Sequence, residues 1–253
     1  MIRAMCNLYS MTTTHQAMRQ LFRLESGCNQ LRLPGIFPDY QAPIVRRSAA
    51  GERELVAARW GLPTPPALLK GPIDRGVTSI RNLHSSHWLR WLKPEFRCLV
   101  PATSFSEPTD ARDPVTGQKI WTWFALDESR PLFAFAGMWC TWTGARGTQR
   151  NPAIGEHTLY GFLTTAPNEV VKPVNEKAMP AILTTAEECD AWLAAEPHDA
   201  FKLWRPLPAE MLKVVAAGKR EDTPPVNSHT GVDLDDITRG IMTAALTLQA
   251  LIA

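Results

Sequence analysis

KIWTWFALDESRPLFAFAGMWCTW, residues 119–142, decides the reading of the fold. Two runs rich in aromatic and aliphatic side chains flank the polar turn DESRP, so the stretch predicts a β-hairpin. Outward from it, FRCLVPATSFSEP (Phe96 to Pro108) reads as a buried strand running into a turn, and HTLYGFLTTAP (His157 to Pro167) as a further strand. ELVAARWGL (Glu54 to Leu62) is another, ending at Pro63, and MLKVVAA near the end is one more. LPGIFPDYQAP (Leu33 to Pro43) and PTPPALLKGPIDRG (Pro63 to Gly76) read as irregular, proline-punctuated stretches. The predicted helices are short. Thr12 or Thr13 caps one running through Leu24, Ser85 caps SSHWLRWLK ahead of Pro94, and Thr185 with Glu188 forms a capping box. Together these elements predict an α+β fold: a single compact domain with an antiparallel, barrel-like sheet core and peripheral short helices.

Composition agrees with a globular chain. The 253 residues carry 27 Lys+Arg against 25 Asp+Glu, a formal charge of +2, which excludes binding to polyanions by bulk charge. Hydrophobic residues at 45% and charged residues at 21% exclude disorder as the main state. The 21 prolines exclude long coiled coils. Five scattered cysteines without a C-x-x-C pair fit neither a zinc ribbon nor a disulfide framework, and no metal site or cofactor is expected. MIRAMCNLYS at the start lacks a secretory apolar run, and no stretch of ~20 apolar residues could span a bilayer. A cytoplasmic protein with reduced thiols, acting as a monomer, is the expectation. The apolar GIMTAALTLQALIA from Gly240 reads as a packed C-terminal helix or tail.

Cys6 follows Met5. If translation starts at Met5 and that methionine is removed, Cys6 becomes a terminal 1,2-aminothiol, with an amine of pKa ~7.7–8.0 and a thiol of ~8.5. Such a residue attacks one aldehyde twice, first through the amine as a Schiff base and then through sulfur, closing a thiazolidine ring. Taken alone, Cys6 reads more plainly as a small buried thiol.

The ordered segments MCNLYS, RWGL (Arg59 to Leu62), IRN (Ile80 to Asn82), RCLVPATSFSEP (Arg97 to Pro108), AFAGMW (Ala134 to Trp139), LTTAPN (Leu163 to Asn168) and AMPAIL (Ala178 to Leu183) change that balance. Together they resemble the SOS-response-associated peptidase family, whose members process abasic sites in DNA. The resemblance spans Met5 to about Val226, so a domain over 5–226 and a C-terminal extension over 227–253 are expected. What precedes Met5 has no counterpart there, which favours a start at Met5 over Met1; if the long form is made, Met1 to Met5 would have to be removed to expose Cys6. The resemblance implies a β-rich core with helices around it, and a terminal cysteine that cross-links the ring-opened aldehyde of an abasic site in single-stranded DNA. Cys6 would be that nucleophile, and Glu107 in SFSEP matches the family's catalytic glutamate. Self-cleavage exposing the cysteine is the family's other named activity.

Two positions depart from the family pattern. Ser79 stands two before Arg81, where an asparagine is usual, with Asn82 on the other side of the arginine. Asn175 in VNEKAMP takes the place of a histidine that shuttles protons, and an amide cannot do so near neutral pH. DNA contact is expected from Arg59, Trp60, Ser79, Arg81, Asn82 and Lys177. Arg46, Arg47, Arg75, Arg90 and Arg97 also lie among Trp60, Trp88 and Trp91, the mixture that single-strand grooves use. Lys172 and Lys177 flank Asn175 and add charge to the same place. The alternatives are a thiol peptidase, for which the missing histidine is a handicap, and a non-covalent single-stranded-DNA module.

Overall fold

A computed structural model of the chain describes residues 7–25 and 32–222. Strand β1 (Leu8–Met11) leads to helix α1 (His15–Phe22), then to β2 (Leu33–Ile36), β3 (Gln41–Arg47) and β4 (Arg53–Trp60). β5 (Ser79–Ile80), the one-turn helix α2 (Ser86–Leu89), β6 (Arg97–Ala102) and β7 (Ser104–Arg112) follow. Then come β8 (Lys119–Ala125), β9 (Phe133–Gly147), β10 (Pro152–Thr165), β11 (Met179–Pro180) and β12 (Ile182–Leu183). Helices α3 (Ala186–Ala194) and α4 (Pro197–Ala200) precede the last strand, β13 (Lys213–Gly218).

The expected barrel-like core is present. β3 pairs with β4, β4 with β10, β10 with β9, β9 with β6, and β6 with β3, which closes a ring of five strands. Most of its joints are antiparallel, but β10 runs parallel to β4 and to β5. A second sheet, ordered β13-β8-β7-β1-β2, lies against the ring. Tyr9 of β1 packs edge-on to Trp60 and Phe135, and Phe105 of β7 meets Phe135 as well. Each such side chain contributes about 1.5–3 kcal/mol by leaving water. Within the second sheet β1 is an interior strand, flanked on both sides by antiparallel partners.

The structure corrects several local expectations. No ladder joins the two halves of residues 119–142: β8 pairs with β7 and β13, whereas β9 pairs with β6, β10 and β12. Both runs are apolar enough to be buried between two neighbours, so each is satisfied in a different sheet, and DESRP is a crossing between sheets. The tight turn lies upstream, where the Asp113 carboxylate accepts from the Val115 and Thr116 N–H groups and joins β7 to β8. Phe96 to Pro108 holds two strands bent at Thr103 rather than one strand and a turn.

Leu33 to Pro43 is irregular only over the turn at 37–40; the rest is β2 and the start of β3. Pro43 is tolerated because β3 meets β6 only at Val45 and Arg46, which leaves its missing N–H an unpaired side to face. Helix α1 is shorter than expected, capped by Thr14 and ended at Arg23 in a left-handed conformation. Thr185 accepts from the Glu188 N–H as the capping box requires. Asp222 marks the last described turn of chain, buried and bound by Ser104 and Arg130, with its N–H donating to Pro34. The apolar segment from Gly240 lies outside the described residues.

Candidate functional site

Strand register builds a cleft at one end of the second sheet. Leu8 pairs with Ser106, so the chain enters β1 at Asn7 beside Glu107. A cleft of about 450 Å³ is lined here by Asn7, Glu107, Asp110, Lys119, Lys172, Asn175 and Lys177. β7 is buried up to Glu107, which is only 3% exposed, and emerges into solvent beyond it. Glu107 is therefore a carboxyl group at the wall of a cleft open to solvent, itself largely withdrawn from it. Asp110 and Lys119 face each other across the β7–β8 ladder at 3.8 Å.

The opposite wall is the segment between β10 and β11. Asn168 fixes its start: the amide oxygen accepts from the Val170 and Val171 N–H groups, and the amide nitrogen donates to Leu207. The Asn175 N–H donates to Val171, and its side-chain oxygen accepts from the Lys177 N–H at 3.0 Å. One lip is tied to β5, because the Arg81 guanidinium donates to the Lys177 carbonyl. Ser79 lies on β5 against Phe162, and its neighbour Thr78 donates to the Asn7 side-chain oxygen.

The structure thus gathers Glu107, Asn175 and Lys177 around one space, with Arg81 at its lip. Cys6 lies outside the described residues, but its covalent neighbour Asn7 lines that space. Sequence reasoning missed Asn7, Asp110 and Lys119. The turn residues DPVTG between two strand-like runs were the available signal, since they set β7 against β8.

Other expected residues do not belong to the cleft. Trp60 is 0% exposed, edge-on to Tyr9, and donates its indole N–H to Thr78, so it has no face on which a base could stack. Arg59 is spent on Asp39, donating to both its carbonyl and its carboxylate. The Asn82 side chain accepts from the His84 N–H and closes a turn. Arg97 is fully buried, donating to the carbonyls of Leu92, Trp192 and Ala195, and desolvation lowers its pKa. Trp88 and Trp91 are core residues as well. The expected arginine–tryptophan groove is therefore not one surface, because its aromatic members fill the interior and Arg97 braces it.

The described cysteines do not compete for a nucleophilic role. Cys98, Cys140 and Cys189 are buried, and desolvation pushes the last two thiols up to about 12 and Cys98 well above its ordinary range. No helix among the described residues is long and apolar enough to cross a membrane.

A closed β-ring with an attached sheet and an acid- and lysine-lined cleft at the start of the chain defines a mixed α+β domain built around its own N-terminal strand. The family profile described as SOS response associated peptidase (SRAP) matches residues 5–220, and the chain belongs to that family. Solved structures share the fold. A protein from Bordetella bronchiseptica is 24% identical with a TM-score of 0.60, the match covering 84% of this chain and 98% of that one. One from Bacteroides thetaiotaomicron is 21% identical with a TM-score of 0.59, covering 84% and 90%. A phage-related protein from Bordetella bronchiseptica is 16% identical with a TM-score of 0.60, covering 82% and 92%. No curated protein matches the chain.

Proposed function

We propose that this SRAP-family chain captures abasic sites in single-stranded DNA covalently, through the amine and thiol of Cys6 once residues 1–5 are removed. The observation that carries this reading is that Asn7, Glu107 and Asn175 line one cleft. Consecutive Cα atoms are about 3.8 Å apart, so the covalent neighbour of Asn7 is tethered to this space.

The ring-opened sugar aldehyde is attacked by the Cys6 amine, giving a carbinolamine that loses water to form a Schiff base. Glu107 takes a proton from the ammonium form and returns it to the departing hydroxyl. The thiolate then adds to the C=N carbon, and nitrogen takes up the proton as the thiazolidine closes. Holding amine and thiol on one residue makes this last step intramolecular. Lys119, Lys172, Lys177 and Arg81 supply positive charge for the phosphates on either side of the lesion. Asn175 orients the sugar by hydrogen bonding but moves no proton, which slows ring opening and, more strongly, reversal.

The test mixes protein beginning at Cys6 with single-stranded DNA carrying one abasic site and runs a denaturing gel. A heat-stable shifted band that disappears in Cys6→Ser, and in the chain retaining residues 1–5, is the expected result. Retention under native conditions alone would establish the non-covalent module, and cleavage of a peptide substrate the thiol peptidase.

A further inference from the structure

The segment between β4 and β5 presents a second groove, none of whose lining residues lines the cleft. Its shape is fixed from inside. The buried Asp74 carboxylate accepts from the Thr64 N–H at 2.8 Å, the Thr64 hydroxyl at 2.5 Å and the Gly76 N–H at 2.7 Å, while its own N–H donates to Ala145. Leu62 and Val77 exchange backbone hydrogen bonds at the base. Gly76 and Gly61 lie under the buried Arg146 guanidinium, where an added Cβ would come within 2.6 Å of it. A segment pinned this way holds its side chains in place before any partner arrives, which lowers the cost of ordering on binding.

What it holds out is apolar and cationic. Leu68 ends the 3-10 turn Pro66–Leu68 and Leu69 follows it in an extended conformation; they are 57% and 44% exposed and form one contiguous apolar patch. With Pro72 and Ile73 they line a groove of about 310 Å³ to which Lys70 and Arg75 also contribute. Among the described residues lining it, none is acidic and none is aromatic. Lys70 and Arg75 have no acidic partner among the described residues, and cations of this kind beside exposed aliphatic surface favour an anionic partner with apolar side chains. A nucleic acid also carries negative charge, but its bases seek aromatic platforms, and here there are none.

We propose that this groove docks an acidic peptide segment of a partner protein, with one or two aliphatic or aromatic side chains seated against Leu68 and Leu69 and carboxylates paired with Lys70 and Arg75. Selection of random twelve-residue peptides on the full chain should enrich sequences that combine Asp or Glu with large apolar residues. Binding of a selected peptide, read by fluorescence anisotropy, should fall about tenfold or more in Leu68→Ser/Leu69→Ser and in Lys70→Glu/Arg75→Glu. All four side chains are outside the core, so the melting temperature should hold, as should capture of abasic DNA. The proposal is overturned if no acidic-apolar sequences are enriched, if both double variants bind as the parent does, or if oligothymidine competes with the peptide. It is equally overturned if the variants lose DNA capture, which would make the groove part of a nucleic-acid track.

Discussion

Two regions of this molecule are rich in cations and use them in opposite ways. Around the ring, Arg59, Arg97 and Arg146 turn inward and are consumed by carbonyl groups and by Asp39. Around the cleft, Lys119, Lys172 and Lys177 line a solvent-open space beside Glu107, the first two 3.8 and 3.7 Å from the exposed carboxylates of Asp110 and Glu169. A guanidinium with its five fixed donors satisfies several buried acceptors at once, whereas an ammonium on a flexible stem stays hydrated and meets a phosphate as a point charge. Residue type and sequence proximity to tryptophan did not distinguish these uses; the strand register did.

The widest separation between the two regions is expected from their central residues. Arg97→Ala leaves three carbonyls without their charged donor and should lower stability by about 4 kcal/mol, read as a shift in the denaturant midpoint at unchanged slope. Glu107→Gln should do the reverse, slowing cross-linking about 100-fold with little change in that midpoint. If Arg97→Ala is near neutral, or Glu107→Gln unfolds the protein instead of slowing it, the division between bracing and chemistry fails.

The buried thiols sharpen the contrast through pH. Their folded pKa values lie above the ~8.5 of an exposed cysteine, so the unfolded chain loses its thiol protons first as pH rises. This contribution to stability is whole below about pH 8.5 and is lost toward pH 12, by about 1.4 kcal/mol per pH unit for each thiol. Cys140→Ala and Cys189→Ala should each flatten the alkaline limb of a stability profile. The smallest effects are expected at the cleft mouth, where Lys172→Ala and Lys177→Ala should each reduce the salt slope of single-stranded DNA affinity by about 0.7 without altering its sequence preference. Asn175→His tests the other wall; it should speed cross-link reversal, and an unchanged rate would remove the proton-transfer deficit assigned to Asn175.

Much of the barrel was legible because its strands are apolar runs with few interruptions, and Glu54 to Leu62 and His157 to Pro167 fall where β4 and β10 lie. Pairing was not legible. DESRP has the composition of a hairpin turn, yet Phe133 and Phe124 enter different sheets, a choice made by neighbours distant in sequence. Pro34 and Pro43 looked like loop punctuation and proved compatible with strands whose neighbours are incomplete. At the site, Glu107 and Asn175 were found through motif resemblance, and the cleft joins them to the start of β1. Trp60 misled because tryptophan beside arginine is the same two letters whether the ring is stacked on a base or on Phe162.

The interior position of β1 has a practical corollary. Residues ahead of Asn7 are attached to a strand held by ladders on both edges, so fraying that end would require both ladders to open. An affinity handle ahead of Asn7 would be tethered to a residue that itself lines the cleft. Preparations with and without a tag at that end should therefore be compared before any inactivity is read as a property of the chain.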